Sequence, residues 1–194
     1  MSKRVALYFG TFNPLHIGHL AIANHLVEFT DLDELWFVVT PRSPFKQKAT
    51  LLDDQQRLHM VDLALADYPK LKASNVEFNL PQPNYTVTTL VHLHEQYPDT
   101  EFALVMGEDN LKSLLKWKNV DYILEHHHIY VYPRISQGTV PAALQDHTKI
   151  HKVDAPIMEI SSTFIRNGLA NSKNMRPLLP SAVHDEIEVS GYYL

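Results

Sequence analysis

VALYFGTFNPLHIGH, Val5 to His19, is the stretch that decides how the chain folds. An apolar run, Val5 to Phe9, stops at Gly10, and a short loop then brings His16-Ile17-Gly18-His19 to the start of a helix-like segment, Leu20 to Phe29. Strand, turn and helix thus follow one another without a linker. Residues three apart share a helix face, so His16 and His19 can point at one ligand from the first helical turn. A helix N-terminus also carries unpaired N–H groups and a partial positive charge, which suit a phosphate. The stretch reads as a nucleoside triphosphate site.

Further apolar runs follow at Leu35–Val39, Val76–Phe78, Phe102–Met106 and Ile129–Tyr132. Except for Val76–Phe78 they are nearly continuous, as expected of parallel strands buried on both faces. Between them, Asp53 to Asp67 spaces Leu58, Val61 and Leu65 as a helix does, and Thr86 to Tyr97 does the same with Val87, Leu90 and Val91. Each of these segments is halted by a Tyr-Pro pair. Alternating strand and helix signals predict an α/β fold, a doubly wound, mostly parallel Rossmann-like sheet with helices on both faces. Ligands bind such sheets beyond the carboxyl ends of the strands, where the strand order reverses. Chemistry is therefore expected at Gly10–His19, Thr40–Lys48 and Gly107–Asp109.

A chain of 194 residues fits a single domain, residues 1–194, with a short C-terminal helical tail at 180–194. At 45% hydrophobic and 20% charged residues it has the composition of a soluble globular protein. No apolar run approaches the roughly 20 residues of a membrane span. The start, MSKRVALYFGTFNP, lacks the cleavage pattern of a signal peptide, and the chain has no cysteines, so neither disulfides nor thiolate metal sites arise. These features point to the cytoplasm. A net charge of −5 argues against a nucleic-acid surface, although a local group of Lys, Arg and His still suits a small anion. Of the 12 histidines, the run His126-His127-His128 is expected at the surface rather than on a metal. Pro133 to Pro141 reads as a turn-rich loop.

The loop of the opening stretch has its own logic. Gly10 lets backbone pass close to a ligand, Thr11 offers a hydroxyl, Asn13-Pro14 forms a turn, and Gly18 leaves room for a flat group such as a purine. Far along the chain, Ile160-Ser161-Ser162-Thr163-Phe164-Ile165-Arg166 reads as a second helix start. Ser161 or Ser162 caps it, and Asn167-Gly168 is a natural stop. Hydroxyls, free amides and a guanidinium make a second phosphate cradle.

The paired motifs resemble the nucleotidyltransferase superfamily, whose HIGH signature is also carried by class I aminoacyl-tRNA synthetases. Within it the chain most resembles the bacterial nicotinate-mononucleotide adenylyltransferases. Their GGTFDPxHxGH pattern is matched by Phe9 to His19, and a PxxxPxK-like loop by Pro41 to Lys46. SYTxDTL is matched by Asn84 to Leu90, and GxDxxxxxxxW by Gly107-Glu108-Asp109 through Trp117. ISSTxIR is matched by Ile160 to Arg166, and LPxxVxxYI by Leu179 to Ile187. The likeness runs from end to end in order. Departures are Phe9 for the first Gly, Asn13 and Thr88 for Asp, and Asn84 for Ser. A phenyl group at position 9 is expected to narrow the approach to the phosphates.

The resemblance implies an enzyme of NAD biosynthesis that joins ATP to nicotinate mononucleotide, giving nicotinate adenine dinucleotide and pyrophosphate. Catalysis would rest with His16, His19 and Arg166. ATP would be held by Gly10, Thr11, Phe12, His16, Gly18, His19, Gly107, Asp109, Ile160, Ser161, Ser162 and Arg166, and the mononucleotide by Lys46, Tyr85, Thr86 and Trp117. Closure of the Arg42–Ala49 loop over the mononucleotide is expected. Mg2+ would arrive on the ATP phosphates, with no protein metal site. No nucleic acid or membrane partner is implied, and Tyr192-Tyr193-Leu194 is either the edge of a homo-oligomer or a packed end. Rival readings are an adenylyltransferase for nicotinamide mononucleotide or phosphopantetheine, and a non-catalytic nucleotide-binding regulator. A synthetase would need KMSKS-like residues and a tRNA-binding extension, for which the chain has no room.

Overall fold

The computed structural model describes residues 2–41, 51–135 and 137–194. In chain order the elements are β1 (Lys3–Gly10), α1 (Ile17–Phe29), β2 (Glu34–Val39), α2 (Asp54–Leu65), β3 (Leu71–Ser74), α3 (Thr86–Gln96), β4 (Thr100–Gly107) and α4 (Glu108–Leu111). They continue with α5 (Val120–His126), β5 (Ile129–Tyr132), α6 (Ala142–Gln145), β6 (Ile150–Lys152), α7 (Ser162–Ala170) and α8 (Ser181–Ser190). The six strands of the described residues pair in parallel in the order β3-β2-β1-β4-β5-β6. The order reverses between β1 and β4, where Tyr8 pairs with Val105. That junction is where a sheet of this kind opens a crevice for ligand.

The two-residue period of β1 separates two cores. Ala6 and Tyr8 face a cluster containing Leu20, Leu26, Met60, Val61, Ile165, Val183 and Ile187, from α1, α2, α7 and α8. Val5 and Leu7 face the other cluster, with Leu90, Leu93, Leu111 and Ile123 from α3, α4 and α5. Because both faces are covered, β1 and β4 have no polar face, which explains their unbroken apolar sequences. No helix of the described residues is long and apolar enough to cross a membrane.

Several sequence expectations change. Val76–Asn79 is a 3-10 turn, and the third strand is Leu71–Ser74. As an edge strand, β3 fully buries only Leu71, so it lacks the apolar run that marks central strands. The turn mimics a strand in sequence, yet it folds Glu77 inward, where Oε1 accepts a 2.7 Å hydrogen bond from Thr89 Oγ1. The other edge strand, β6, was invisible for the same reason. Of the histidine run, only His126 is exposed. His127 is buried with Nδ1 2.8 Å from the Phe102 carbonyl, and His128 Nδ1 lies 2.7 Å from His151 Nε2. The tail packs on its own chain, Tyr192 and Tyr193 both resting against the α1–α2 side core.

Candidate active site

Beyond the carboxyl end of β1 the chain enters a loop, Thr11 to His16, whose carbonyls are held by donors from remote elements. Arg57 of α2, fully buried, donates from Nη1 to Thr11 O at 2.6 Å and Thr40 O at 3.2 Å, and from Nε to Leu52 O at 3.1 Å. Arg166 Nη1 donates to Asn13 O at 2.8 Å, and Ser162 Oγ to Pro14 O at 2.9 Å. Asn13 Oδ1 accepts from Tyr193 Oη at 2.6 Å and from the Leu52 amide at 3.4 Å. A buried guanidinium stays ionised only when its donors find partners, and Arg57 finds three carbonyls and the Asp54 carboxylate. It ties the ends of β1 and β2 to the start of α2.

The loop delivers the two imidazoles. His16 is the extended N-cap of α1 at φ −138°, and His19 is its third residue. Their rings stack at 3.7 Å between centroids, inclined by 21°. His19 Nδ1 accepts the His16 amide at 3.3 Å, so its neutral tautomer carries the proton on Nε2. Its ring is fixed edge-on by Phe12 at 5.2 Å and Tyr8 at 6.0 Å. Burial, reinforced by the charge of Arg134, lowers the His16 pKa to about 4, so at neutral pH it is an uncharged imidazole. A Cβ on Gly18 would lie 3.1 Å from His16 Nδ1, so this glycine makes space for the imidazole. On Gly10 a Cβ would press into the Phe12 ring at 2.8 Å. Phe12 itself is core, not cavity wall.

Opposite lies the start of α7. Ser161 is its N-cap, with Oγ accepting the Phe164 amide at 3.2 Å. Ser162 and Arg166 face back across the gap to the loop carbonyls, and Arg166 Nη2 also donates to Thr163 Oγ1 at 3.2 Å. Between the two helix starts is a cavity of about 500 Å³ lined by Thr11, His16, Gly18, His19, Ile160, Ser161, Ser162 and Arg166 of the sequence-derived set. No Asp or Glu is among its lining residues within the described part of the chain.

Among the lining residues that sequence reasoning missed are Tyr8, Tyr132 and Arg134. Tyr8 and Tyr132 meet at 3.0 Å through their hydroxyls, and burial raises both phenol pKa values. Arg134, two residues past β5, also lines the cavity and lies 3.9 Å from Asp109 Oδ2. The rule that chemistry follows strand ends pointed at Arg134, but the turn-rich composition around it hid the signal. Gly107 and Asp109, at the end of β4, do not line this cavity and connect to it through Arg134. A Cβ at Gly107 would collide with the Asp109 carboxylate, so the glycine lets that group fold back over the strand end.

Trp117, Tyr85 and Phe9 pack against the other core cluster, on the opposite face of the sheet from the histidines. Phe9 therefore faces away from the cavity of the histidines, contrary to the expectation that it narrows a phosphate approach. Tyr85 is the N-cap of α3 and Thr86 its first residue, and Lys118 Nζ sits 4.4 Å from the Tyr85 ring centre. Asn84 is buried and donates from Nδ2 to Glu77 O at 3.1 Å, a use for an amide at that position. Lys46, and the loop expected to close, lie outside the described residues. Among the described residues, groups spaced to hold a metal ion converge at His184, Asp185 and Glu188 of α8, none of which lines the cavity.

Comparison with known proteins gives one answer. A model of the "Cytidylyltransferase-like" family matches residues 7–168. A protein of Flavobacterium johnsoniae named "Probable nicotinate-nucleotide adenylyltransferase" is 60% identical over 98% of each chain. One of the same name from Christiangramia forsetii is 56% identical over 100% of each. Among solved structures, the nicotinic acid mononucleotide adenylyltransferase of Plasmodium falciparum complexed with NaAD superposes with a TM-score of 0.81 at 16% identity, covering 98% of this chain and 97% of that one. At that identity the likeness shows the fold.

Proposed function

The chain belongs to the cytidylyltransferase-like family and, within it, to the nicotinate-nucleotide adenylyltransferases, and on that premise we propose how its cavity transfers an adenylyl group. The reaction joins ATP and nicotinate mononucleotide: a phosphate oxygen of the mononucleotide attacks the α-phosphorus of ATP in line. The bond from that phosphorus to the β-phosphate bridging oxygen breaks, and pyrophosphate leaves. The nucleophile is already an anion at neutral pH, so no general base is needed. The protein's contribution is positioning and charge stabilisation.

One observation carries this reading: a stacked histidine pair at one helix start faces a Ser-Ser-Arg helix start across a cavity lined, among the described residues, by no acidic side chain. His19 donates from Nε2 to the α-phosphoryl group, where charge develops, and neutral His16 supports its ring from the other side. Ser161, Ser162, Arg166 and Arg134 hold the β- and γ-phosphates, with Thr11 and the Gly18 and Ile160 backbone lining the nucleotide. Asp109, beside Gly107, accepts from a ribose hydroxyl. Trp117, Tyr85 and Thr86 take the mononucleotide from the far side of the sheet, and Lys46 meets its phosphate. Mg2+ enters as part of the MgATP substrate; a lining rich in hydroxyls, imidazoles and guanidiniums suits a cation held by phosphates and water rather than by carboxylates.

Residues 1–194 act as one nucleotidyltransferase domain with the tail at 180–194, working in the cytoplasm on these two nucleotides. The assay that tests the reading supplies MgATP with nicotinate mononucleotide and, separately, with its amide, and follows pyrophosphate and dinucleotide. A clear excess of kcat/KM for the acid is expected, since a site that pairs a carboxylate rejects a ligand lacking it. Equal values, or faster turnover of the amide, would reassign the substrate. Absence of product from either would leave a nucleotide-binding regulator.

A further inference from the structure

Among the described residues, five remote donors reach the loop that carries the histidines, and they fall into two groups. Arg166 and Ser162 line the cavity, so a bound triphosphate competes with the Asn13 and Pro14 carbonyls for them. Arg57, the Leu52 amide and Tyr193 do not line it, so a ligand in the cavity does not compete for their bonds. Tyr193 is the most distant of these in sequence, 180 residues from its partner Asn13.

The tail is built to bring it there. α8 packs along α2 and ends at Gly191, which turns left-handed at φ 68°. Tyr193 is itself left-handed at φ 66°, a conformation a bulky residue rarely adopts unless its side chain is held elsewhere. Its ring packs against the α1–α2 side core, and its hydroxyl meets Asn13 Oδ1 at 2.6 Å. Burial raises the phenol pKa, opposed by the nearby charges of Arg166 and Arg57, so at neutral pH the group is a donor. The acceptor it reaches is the residue whose own carbonyl takes Arg166 and whose loop runs directly into His16.

We propose that Tyr193 is a positioning residue of the adenylyl-transfer site: by holding the Asn13 side chain it keeps the Thr11–His16 loop in shape when Arg166 and Ser162 turn to the phosphates. The inference rests on the adenylyltransferase reading and adds to it a residue outside every motif of the sequence. Tyr193 acts through Asn13, not on substrate.

Tyr193→Phe removes the hydroxyl and leaves the ring packing. It is expected to lower kcat about tenfold while KM for each substrate moves less than about threefold, since a misplaced loop weakens the transition state first. The melting temperature should fall by no more than about 4 °C, the share of one hydrogen bond. In an Asn13→Ala background the same change should add nothing, because its route to the site is gone. Unaltered kcat in Tyr193→Phe, or an undiminished effect in the Asn13→Ala background, overturns the proposal. A nitrogen-labelled imidazole NMR spectrum reads the loop without turnover. His16 and His19 resonances should shift in Tyr193→Phe while His94 and His126, near the opposite ends of the strands, stay in place. If they do not shift, the positioning claim fails even where the enzyme is active. If they do shift in a protein that makes no product, the adenylyltransferase reading fails and the loop contact stands.

Discussion

At the scale of single residues, the site depends on two imidazoles made unlike by their surroundings. His16 is 4% exposed and close to Arg134, so it remains neutral far below the usual histidine range. The folded state therefore binds fewer protons than the unfolded one between pH 6.5 and about 4, and stability must fall as pH falls through that window. The loss by pH 4 is on the order of 3 kcal/mol. Denaturant titrations at pH 7 and pH 5 should show it, and His16→Asn should flatten the slope between them; an unchanged slope would mean that another group dominates. His19 has the exposed task. Removing one preorganised donor costs on the order of 3 kcal/mol in the transition state, so His19→Ala should lower turnover by roughly a hundredfold or more with melting preserved. Near-normal turnover would remove His19 from catalysis. The HIGH tetrapeptide announced both residues, but it assigned them the same role, because a shared helix face is all that spacing encodes.

At the scale of elements, helix starts do the work. α2 illustrates how a start is secured: Asp53 Oδ1 accepts the Gln55 amide at 2.9 Å, and Gln56 Oε1 accepts the Asp53 amide at 3.1 Å. This reciprocal cap fixes the first turn of the helix that carries Arg57. Asp53→Ala should cost about 1 kcal/mol and lower the melting temperature by about 2–4 °C. A larger fall would show that the cap and Arg57 act as one unit. In the sequence α1 and α3 are readable, as is a serine cap at 161 or 162 of α7, which the structure assigns to Ser161. The edge strands were not. A strand covered on one side only has no apolar run to display, and Leu71–Ser74 and Ile150–Lys152 are both of that kind.

At the scale of the whole molecule, the parallel sheet is a divider. Cavity and histidines lie on the α1–α2 side, while Tyr85 and Trp117 pack on the α3–α5 side, with the ends of β1 and β4 between. Two substrates approaching from the two faces would meet at the strand ends, where the topology leaves its crevice. Trp117→Ala should raise KM for the mononucleotide more than it lowers kcat, as loss of a ground-state contact does. An unchanged KM in steady-state assays would return Trp117 to the core. The sequence alone determined the fold class, the two helix starts that border the cavity and the family, because periodicity and short motifs are local properties of a chain. Tertiary structure decided which groups share a face. It placed Phe9 away from the cavity, buried His127, brought Arg134 and the two tyrosines to the same cavity as the histidines, and tied Asn13 to Arg166 and Tyr193. Contacts between residues some 150 to 180 positions apart arise from packing, and no window of sequence contains both partners.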